Sequence, residues 1–210
     1  VWSPRVGAVG PAASRAPSGT PGPAPESRAM TILALDQGTT STRAVIVDED
    51  GTVRIAHTVA HRQSYPGPGR VEHDPEELLA NLSACLDAAP GARAVGLANQ
   101  GESCLGWDAR TGRAITPVIV WQDERTTPET ERLRAEGAEA VTLARAGLPL
   151  DPYFSASKLG WILREVPEAR ALARSGRLRL GTTDAFFRHR LTGRCETDPT
   201  TASRTSLMNL

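Results

Sequence analysis

The 210-residue sequence is poor in lysine, aromatic residues and cysteine, and these shortages narrow the classes of protein to consider. Lys158 is the only lysine, and basic and acidic residues balance at 24 each, so no excess of positive charge points to nucleic acid or an anionic membrane. Three cysteines without C-x-x-C spacing and four separated histidines make no zinc pattern. No apolar run approaches about 18 residues, so we expect no membrane span. The cysteine usage favours reduced thiols and a cytoplasmic location.

Glycine and proline number 19 and 16, and their excess over average usage is concentrated before Met30. Residues 1–29 are rich in Pro, Gly, Ala and Ser and could not bury enough apolar surface to offset the entropy of ordering. They also lack the apolar stretch of a secretory signal. We therefore predict a disordered extension over residues 1–29, a folded unit over 30–210, and a true translation start at Met30.

Short apolar runs predict a series of strands, and helical spacing of leucines predicts helices between the later ones. Three consecutive runs joined by tight turns predict an antiparallel meander, and the alternation that follows predicts an α/β mixed sheet with flanking helices. Asp74, Pro75 and Glu77 form the start of the first helix, and Gly137 divides the second helical stretch. The predicted strands are 31–36, 44–47, 53–59, 94–98, 114–121 and 177–180, and the predicted helices are 74–89, 128–146, 159–166 and 184–191.

The first candidate for chemistry is the segment DQGTTSTR, residues 36–43. Asp36 follows a buried strand and could hold Mg²⁺ through water, while Gly38 would let backbone approach a polyphosphate. The hydroxyls of Thr39 and Thr40 could donate to phosphate oxygens, and Arg43 could offset charge. The alternative is an ordinary β-turn with a capping aspartate. No Walker loop or Rossmann turn is present.

Three further polar segments combine amides, carboxylates and aromatic rings: residues 99–102 and 121–123, which follow predicted strands, and residues 151–154, which precede a helix. Open α/β sheets bind ligands at the carboxyl ends of their strands. Trp121 and Tyr153 stand out in a chain with only 4% aromatic residues. Aromatic rings beside polar groups suit the C–H faces of a polyhydroxyl ligand. The alternative for both residues is simple anchoring in the core.

Six motifs occur in the order and approximate spacing of the FGGY carbohydrate kinases, and they resemble the glycerol kinase branch most. The motifs are DQGTTSTR, VEHDP, NQGE, IVWQDERT, DPYFSASKLGWIL and TDPTTASRTSLMNL. The resemblance covers residues 30–210 and implies the N-terminal domain of such a kinase, with a ribonuclease H-like fold of the actin-like ATPase superfamily.

The resemblance also implies roles for the singled-out residues. Asp36, Gly38, Thr39, Thr40 and Arg43 resemble the turn that binds ATP phosphates and Mg²⁺, with Asp36 at the metal. The reaction implied is transfer of the ATP γ-phosphoryl group to a primary hydroxyl of a polyol or sugar. The resemblance allows for a homo-oligomer in the complete protein. The residues that resemble the polyol pocket are Gly101, Glu102, Trp121 and Tyr153.

Two departures from the family pattern affect function. Glycerol kinases carry arginine where this sequence has Gly101, so we expect a weaker site for glycerol and room for a longer polyol or ketose. The family's base aspartate and second domain lie beyond the position of Leu210, so we expect little turnover from these residues alone. Asp184 is interpreted as a helix N-cap and Asp198 as a turn residue, and neither is assigned as the base. A non-catalytic sugar-binding or scaffold remnant, and an actin-like ATPase without sugar chemistry, remain alternatives.

Overall fold

The computed structural model describes residues 31–210, so the predictions for residues 1–29 and for Met30 lie outside it. Two four-stranded sheets and seven α-helices make up this part of the chain. The strands are β1 Ile32–Gln37, β2 Ser41–Val47, β3 Val53–Ala60, β4 Glu72–His73, β5 Ala94–Ala98, β6 Cys104–Asp108, β7 Val118–Ile119 and β8 Leu178–Thr182. The helices are α1 Pro75–Asp87, α2 Thr127–Ala135, α3 Glu139–Ala146, α4 Ser155–Glu165, α5 Pro167–Arg174, α6 Thr183–Thr192 and α7 Pro199–Ala202.

The first sheet has the order β3-β2-β1-β5 and is mixed, as predicted. β1, β2 and β3 form the antiparallel meander, and β5 runs parallel to β1. Alternate residues such as Leu33, Leu35 and Ile46 are buried, which follows from the two-residue period of a strand. The register pairs Asp36 with Arg43, so the polar ends of β1 and β2 lie side by side.

The second sheet, in the order β4-β7-β6-β8, is antiparallel and differs from the predicted strands. β6 was not predicted: its five residues are all buried, but Gly106 and Asp108 interrupt the apolar run in this segment. The predicted strand 114–121 is wrong in extent: only Val118–Ile119 is a strand, and Ala114 makes an isolated bridge. Pro117 cannot donate a ladder hydrogen bond, and the Thr116 hydroxyl accepts the bond from the Gly106 N–H instead.

The helix boundaries follow local capping chemistry. The Asp74 carboxylate accepts hydrogen bonds from the N–H groups of Glu76 and Glu77, and Pro75 occupies the first turn, which confirms the predicted start of α1. The Glu77 carboxylate accepts from the Arg62 backbone N–H, at 3.4 Å. Gly137, with a φ of 82°, separates α2 from α3 as predicted.

Two helix assignments from the sequence need correction. α5 is absent from the predicted helices: Pro167 follows α4 directly and opens α5, where its missing N–H is no loss. The N-cap of α6 is Thr182 and not Asp184. Asp184 is the second residue of α6 and is buried, and its carboxylate accepts hydrogen bonds from the hydroxyls of Thr182 and Thr197.

Helices cover the sheets and complete two hydrophobic clusters. α1 packs Leu78 and Leu82 against the first sheet, and α6 adds Phe186 to the same cluster beside Trp107 of β6. α4 and α5 pack Ile162 and Ala169 against the second sheet. No helix within residues 31–210 is both long and apolar enough to cross a membrane. The packing of the helices on the two sheets holds the strand ends, and the loops that follow them, in fixed positions.

Candidate functional site

The turn between β1 and β2, residues 38–40, is held in shape from several sides. The Gly38 N–H donates to the Ser41 carbonyl at 3.0 Å and closes the turn. The Gly38 carbonyl accepts from the side-chain amide of Gln100, at 3.0 Å, and from that of Gln37, at 2.8 Å. The loop after β5 is therefore attached directly to this turn. Because the Gly38 N–H is hydrogen-bonded within the turn, it is not free to donate to a ligand.

Asp36 and Arg43 stand at the edge of the β1–β2 turn and are about half exposed. Their closest N–O distance is 3.5 Å, a loose pair that solvent screens. No group of three or more His, Cys, Asp or Glu side chains suited to a metal occurs among residues 31–210. A single half-exposed carboxylate fits Mg²⁺ held through water, with a polyphosphate supplying further oxygens.

Two histidines lie behind the β1–β2 turn. His61 Nε2 lies 2.9 Å from the Thr39 carbonyl oxygen, and the His61 backbone N–H donates to the Thr40 carbonyl. The ring of His73 packs edge-on against that of His61, at 4.8 Å between centroids. His73 is buried, and burial followed by the nearby His61 lowers its pKa to about 4. Sequence reasoning singled out neither residue, although His73 lies within the VEHDP motif.

Trp121 connects the β1–β2 turn to a second group of residues. Its indole Nε1–H donates to the Thr39 hydroxyl at 3.1 Å, between residues 82 positions apart. Its ring meets the Tyr153 ring edge-to-face, with centroids 5.5 Å apart. We call Gly101, Glu102, Trp121 and Tyr153 the aromatic pocket. The structure thus brings the two predicted groups of site residues together at Trp121.

Glu102 is buried, although its carboxylate is the acidic group of the aromatic pocket. Its side chain accepts from Arg204 Nε at 2.7 Å, and its backbone carbonyl accepts from the Ser155 hydroxyl at 3.0 Å. Both partners come from distant parts of the chain. Hydrogen bonding to Glu102 raises the pKa of Arg204 further above its usual value. Sequence reasoning did not single out Arg204, although it lies within the last of the six motifs.

Lys158 lies against the backbone of Trp121 and Tyr153 and is fully buried. Its ammonium group donates to the backbone carbonyls of Tyr153, at 2.8 Å, and Trp121, at 3.4 Å. Burial lowers its pKa to about 8. Lys158 is the only lysine in an arginine-rich chain, and this was the sequence signal that could have identified it. The planar guanidinium of an arginine does not replace a compact ammonium group in such a space.

Asp123 and Arg125 hold the loop that carries Trp121. Both side chains are almost fully buried and paired, with an N–O distance of 2.8 Å, and Glu72 pairs with the same guanidinium at 2.6 Å. The Asp123 carboxylate also accepts hydrogen bonds from the backbone N–H groups of Val71, at 2.7 Å, and Arg125, at 3.0 Å. Arg125 also stacks over the Trp161 ring at 4.7 Å. Asp123 lies in one of the predicted polar segments, and its carboxylate is thus occupied in holding this loop in place.

The fold and the polar loops at its strand ends define an actin-like α/β domain. Residues 31–210 match the N-terminal domain of the FGGY family of carbohydrate kinases, and the chain belongs to that family. The resemblance inferred from the six motifs is confirmed at this level.

The curated relatives that the chain matches include glycerol kinases of several bacteria. It is 49% identical over 189 residues to the glycerol kinase of Trichlorobacter lovleyi, covering 85% of this chain and 38% of the relative. The crystal structure of Plasmodium falciparum glycerol kinase with ADP aligns with a TM-score of 0.76 at 31% identity, over 85% of this chain and 38% of that one. A xylulose kinase from Lactobacillus acidophilus shares the fold, with a TM-score of 0.77 at 22% identity, over 86% and 37%. The chain therefore spans about 38% of the length of the curated relatives it matches.

Proposed function

We propose that this chain is the part of an ATP-dependent kinase that binds the phosphates of ATP and a polyol or sugar, whose primary hydroxyl receives the γ-phosphoryl group. The observation that carries the proposal is the hydrogen bond between the Trp121 indole and the Thr39 hydroxyl. It joins the β1–β2 turn to the aromatic pocket, so a phosphate at the turn and a hydroxyl in the pocket would be close together. Phosphoryl transfer depends mainly on such positioning.

For the nucleotide, the proposal places the phosphates against the turn at Gly38, which has no side chain to block their approach, with the hydroxyls of Thr39 and Thr40 as donors. Arg43 would offset charge at the rim. Asp36 would hold Mg²⁺ through water, and the ion would neutralise charge on the transferring phosphoryl group. The half-exposed carboxylate at the end of β1 and the open turn beside it support this assignment. The solved relative from Plasmodium falciparum was crystallised with ADP, which supports an adenine nucleotide as the co-substrate.

For the acceptor, the proposal assigns hydroxyl recognition to Glu102 and contact with C–H faces to Trp121 and Tyr153. The buried carboxylate accepts hydrogen bonds, and the edge-to-face rings form one apolar wall. Gly101 provides no charged donor, so we expect a longer polyol or ketose to compete well with glycerol. This expectation goes beyond the names of the relatives, which are glycerol kinases.

No catalytic base is assigned within this chain. The Asp184 carboxylate is occupied by two threonine hydroxyls, and the Asp198 carboxylate caps α7 by accepting from the N–H groups of Thr200 and Thr201. We propose that the activity requires sequence equivalent to the rest of its longer relatives, and that the 210-residue chain alone turns over little.

The free thiols of Cys85, Cys104 and Cys195 support the proposed cytoplasmic location.

A coupled ADP-release assay tests the function. Both the 210-residue chain and the longest natural product containing it are supplied with ATP, Mg²⁺ and polyols of three to five carbons. We expect turnover from the longer protein and little from the chain. Polyol binding by calorimetry without turnover in the longer protein would instead support a non-catalytic sugar-binding protein. ATP hydrolysis with no polyol binding would support an actin-like ATPase.

A further inference from the structure

Arg204 reaches the aromatic pocket from far along the chain. It belongs to the short 3₁₀ turn Ser203–Thr205 and lies 102 residues after Glu102, whose carboxylate it meets through Nε at 2.7 Å. Glu102 is only 7% exposed. A buried carboxylate without a partner is costly, and the guanidinium of Arg204 supplies that partner.

The space beside Gly101 is bounded by the same arginine. A Cβ atom added at Gly101 would lie 3.4 Å from Arg204 Cγ and 3.6 Å from Arg204 Cβ, both ordinary contacts. Gly101 is not among the glycines with positive φ, so its backbone does not require glycine. The pocket therefore keeps a guanidinium next to Glu102, although position 101 has no side chain. Arg204 fills part of the space that the missing side chain at position 101 would leave, so less room remains for a longer acceptor than Gly101 alone suggests.

The Arg204 guanidinium also faces the aromatic rings. Its carbon Cζ lies 5.9 Å from the centroid of Tyr153 and 5.2 Å from that of Phe154. A cavity of about 370 Å³ is lined by Gly101, Glu102 and Arg204 together with polar side chains of α7. The side chain of Arg204 is 41% exposed. A guanidinium carries five N–H donors, and the bond from Nε to Glu102 uses one of them.

We infer that Arg204 is a specificity-determining residue of the acceptor site: it orients Glu102 and donates to a polyol hydroxyl that Gly101 cannot reach. This inference rests on the proposed kinase function. An acceptor carboxylate beside a donor guanidinium matches two neighbouring hydroxyls, each of which both donates and accepts. A polyol with vicinal hydroxyls is the ligand that suits this pair.

The test uses the longest natural product containing this chain and measures kcat and KM for glycerol, for xylitol and for ATP. We expect Arg204→Ala to raise the KM for the polyol about 10- to 100-fold and to leave the KM for ATP unchanged, because it removes a charged donor from the acceptor site alone. Arg204→Lys should recover only part of the affinity, since an ammonium lacks the planar fork. Arg194→Ala, which removes an exposed arginine paired with Glu196, is the matched control.

The double variant Gly101→Arg/Arg204→Ala separates recognition from folding. If Arg204 supplies a guanidinium to the acceptor, an arginine at position 101 should restore part of the polyol affinity. A loss of thermal stability in Arg204→Ala with an unchanged polyol KM would overturn the inference while leaving the kinase function intact. Equal increases in the KM for polyol and for ATP would overturn it too. Absence of polyol turnover in the wild-type protein would reject the proposed function and the inference together.

Discussion

Lys158 should make the stability of this protein rise between about pH 8 and pH 10.5. The ammonium is fully buried, and burial lowers its pKa to about 8 from the usual 10.5. Below pH 8 both the folded and the unfolded chain carry the proton, and the folded state bears the full cost of burying it. Above pH 8 the folded chain releases the proton first, so the unfolded chain binds more protons and stability increases with pH.

The size of the effect follows from the two pKa values. At 1.36 kcal/mol per pKa unit, the cost relieved between pH 8 and pH 10.5 is about 3 kcal/mol. Lys158→Met removes the titrating group, so the difference in unfolding free energy between wild type and variant should shift by that amount. Lys158→Gln also removes the titration but keeps an N–H donor for the carbonyls of Tyr153 and Trp121. The two variants should share the same pH dependence and differ by a constant offset.

Urea unfolding at pH 7, 8, 9 and 10 measures the difference. The buried Cys104 thiol, whose pKa burial raises to about 12, acts in the opposite direction because the unfolded thiol ionises first. Wild type and both variants are therefore compared in a Cys104→Ala background. A difference that stays constant within about 0.5 kcal/mol from pH 7 to pH 10 would refute the buried, charged environment assigned to Lys158.

Three further predictions concern the frame of the site. The buried His73 ring has a pKa near 4, whereas the unfolded chain takes up this proton near pH 6.5, so the wild type should lose about 3 kcal/mol of stability as the pH falls from 6.5 to 4. The variant His73→Leu should not show this loss. Parallel acid-unfolding curves for the two proteins would contradict the prediction. Asp123→Asn should cost about 3 kcal/mol in urea unfolding, since it leaves the buried Arg125 guanidinium underpaired, and a cost below about 1 kcal/mol would argue against that pairing. A double-mutant cycle of Trp121→Phe and Thr39→Val should give a coupling of about 1 kcal/mol in unfolding free energy, and additive effects would mean that the hydrogen bond does not form in solution.

The elements predicted correctly have local causes. The meander follows from apolar runs interrupted by tight turns, and the start of α1 follows from the Asp74 side chain and the fixed φ of Pro75. β6 and the shortened β7 were mispredicted for a non-local reason. β6 is buried on both faces although Gly106 and Asp108 interrupt its apolar run, and the Thr116 hydroxyl replaces a ladder bond only when β6 lies beside it.

The candidate site likewise combines features with local causes and features that depend on contacts between distant residues. The amino-acid sequence by itself determined which segments carry polar chemistry, because Asp36, Gln100 and Trp121 follow apolar runs, and their motifs identify the family. Only the tertiary structure decided that Trp121 bonds to Thr39, that Lys158 bonds to the backbone carbonyls of Trp121 and Tyr153, and that Arg204 pairs with Glu102 beside Gly101. These contacts join residues distant in sequence, so their geometry depends on how the sheets and helices pack, which no local pattern encodes.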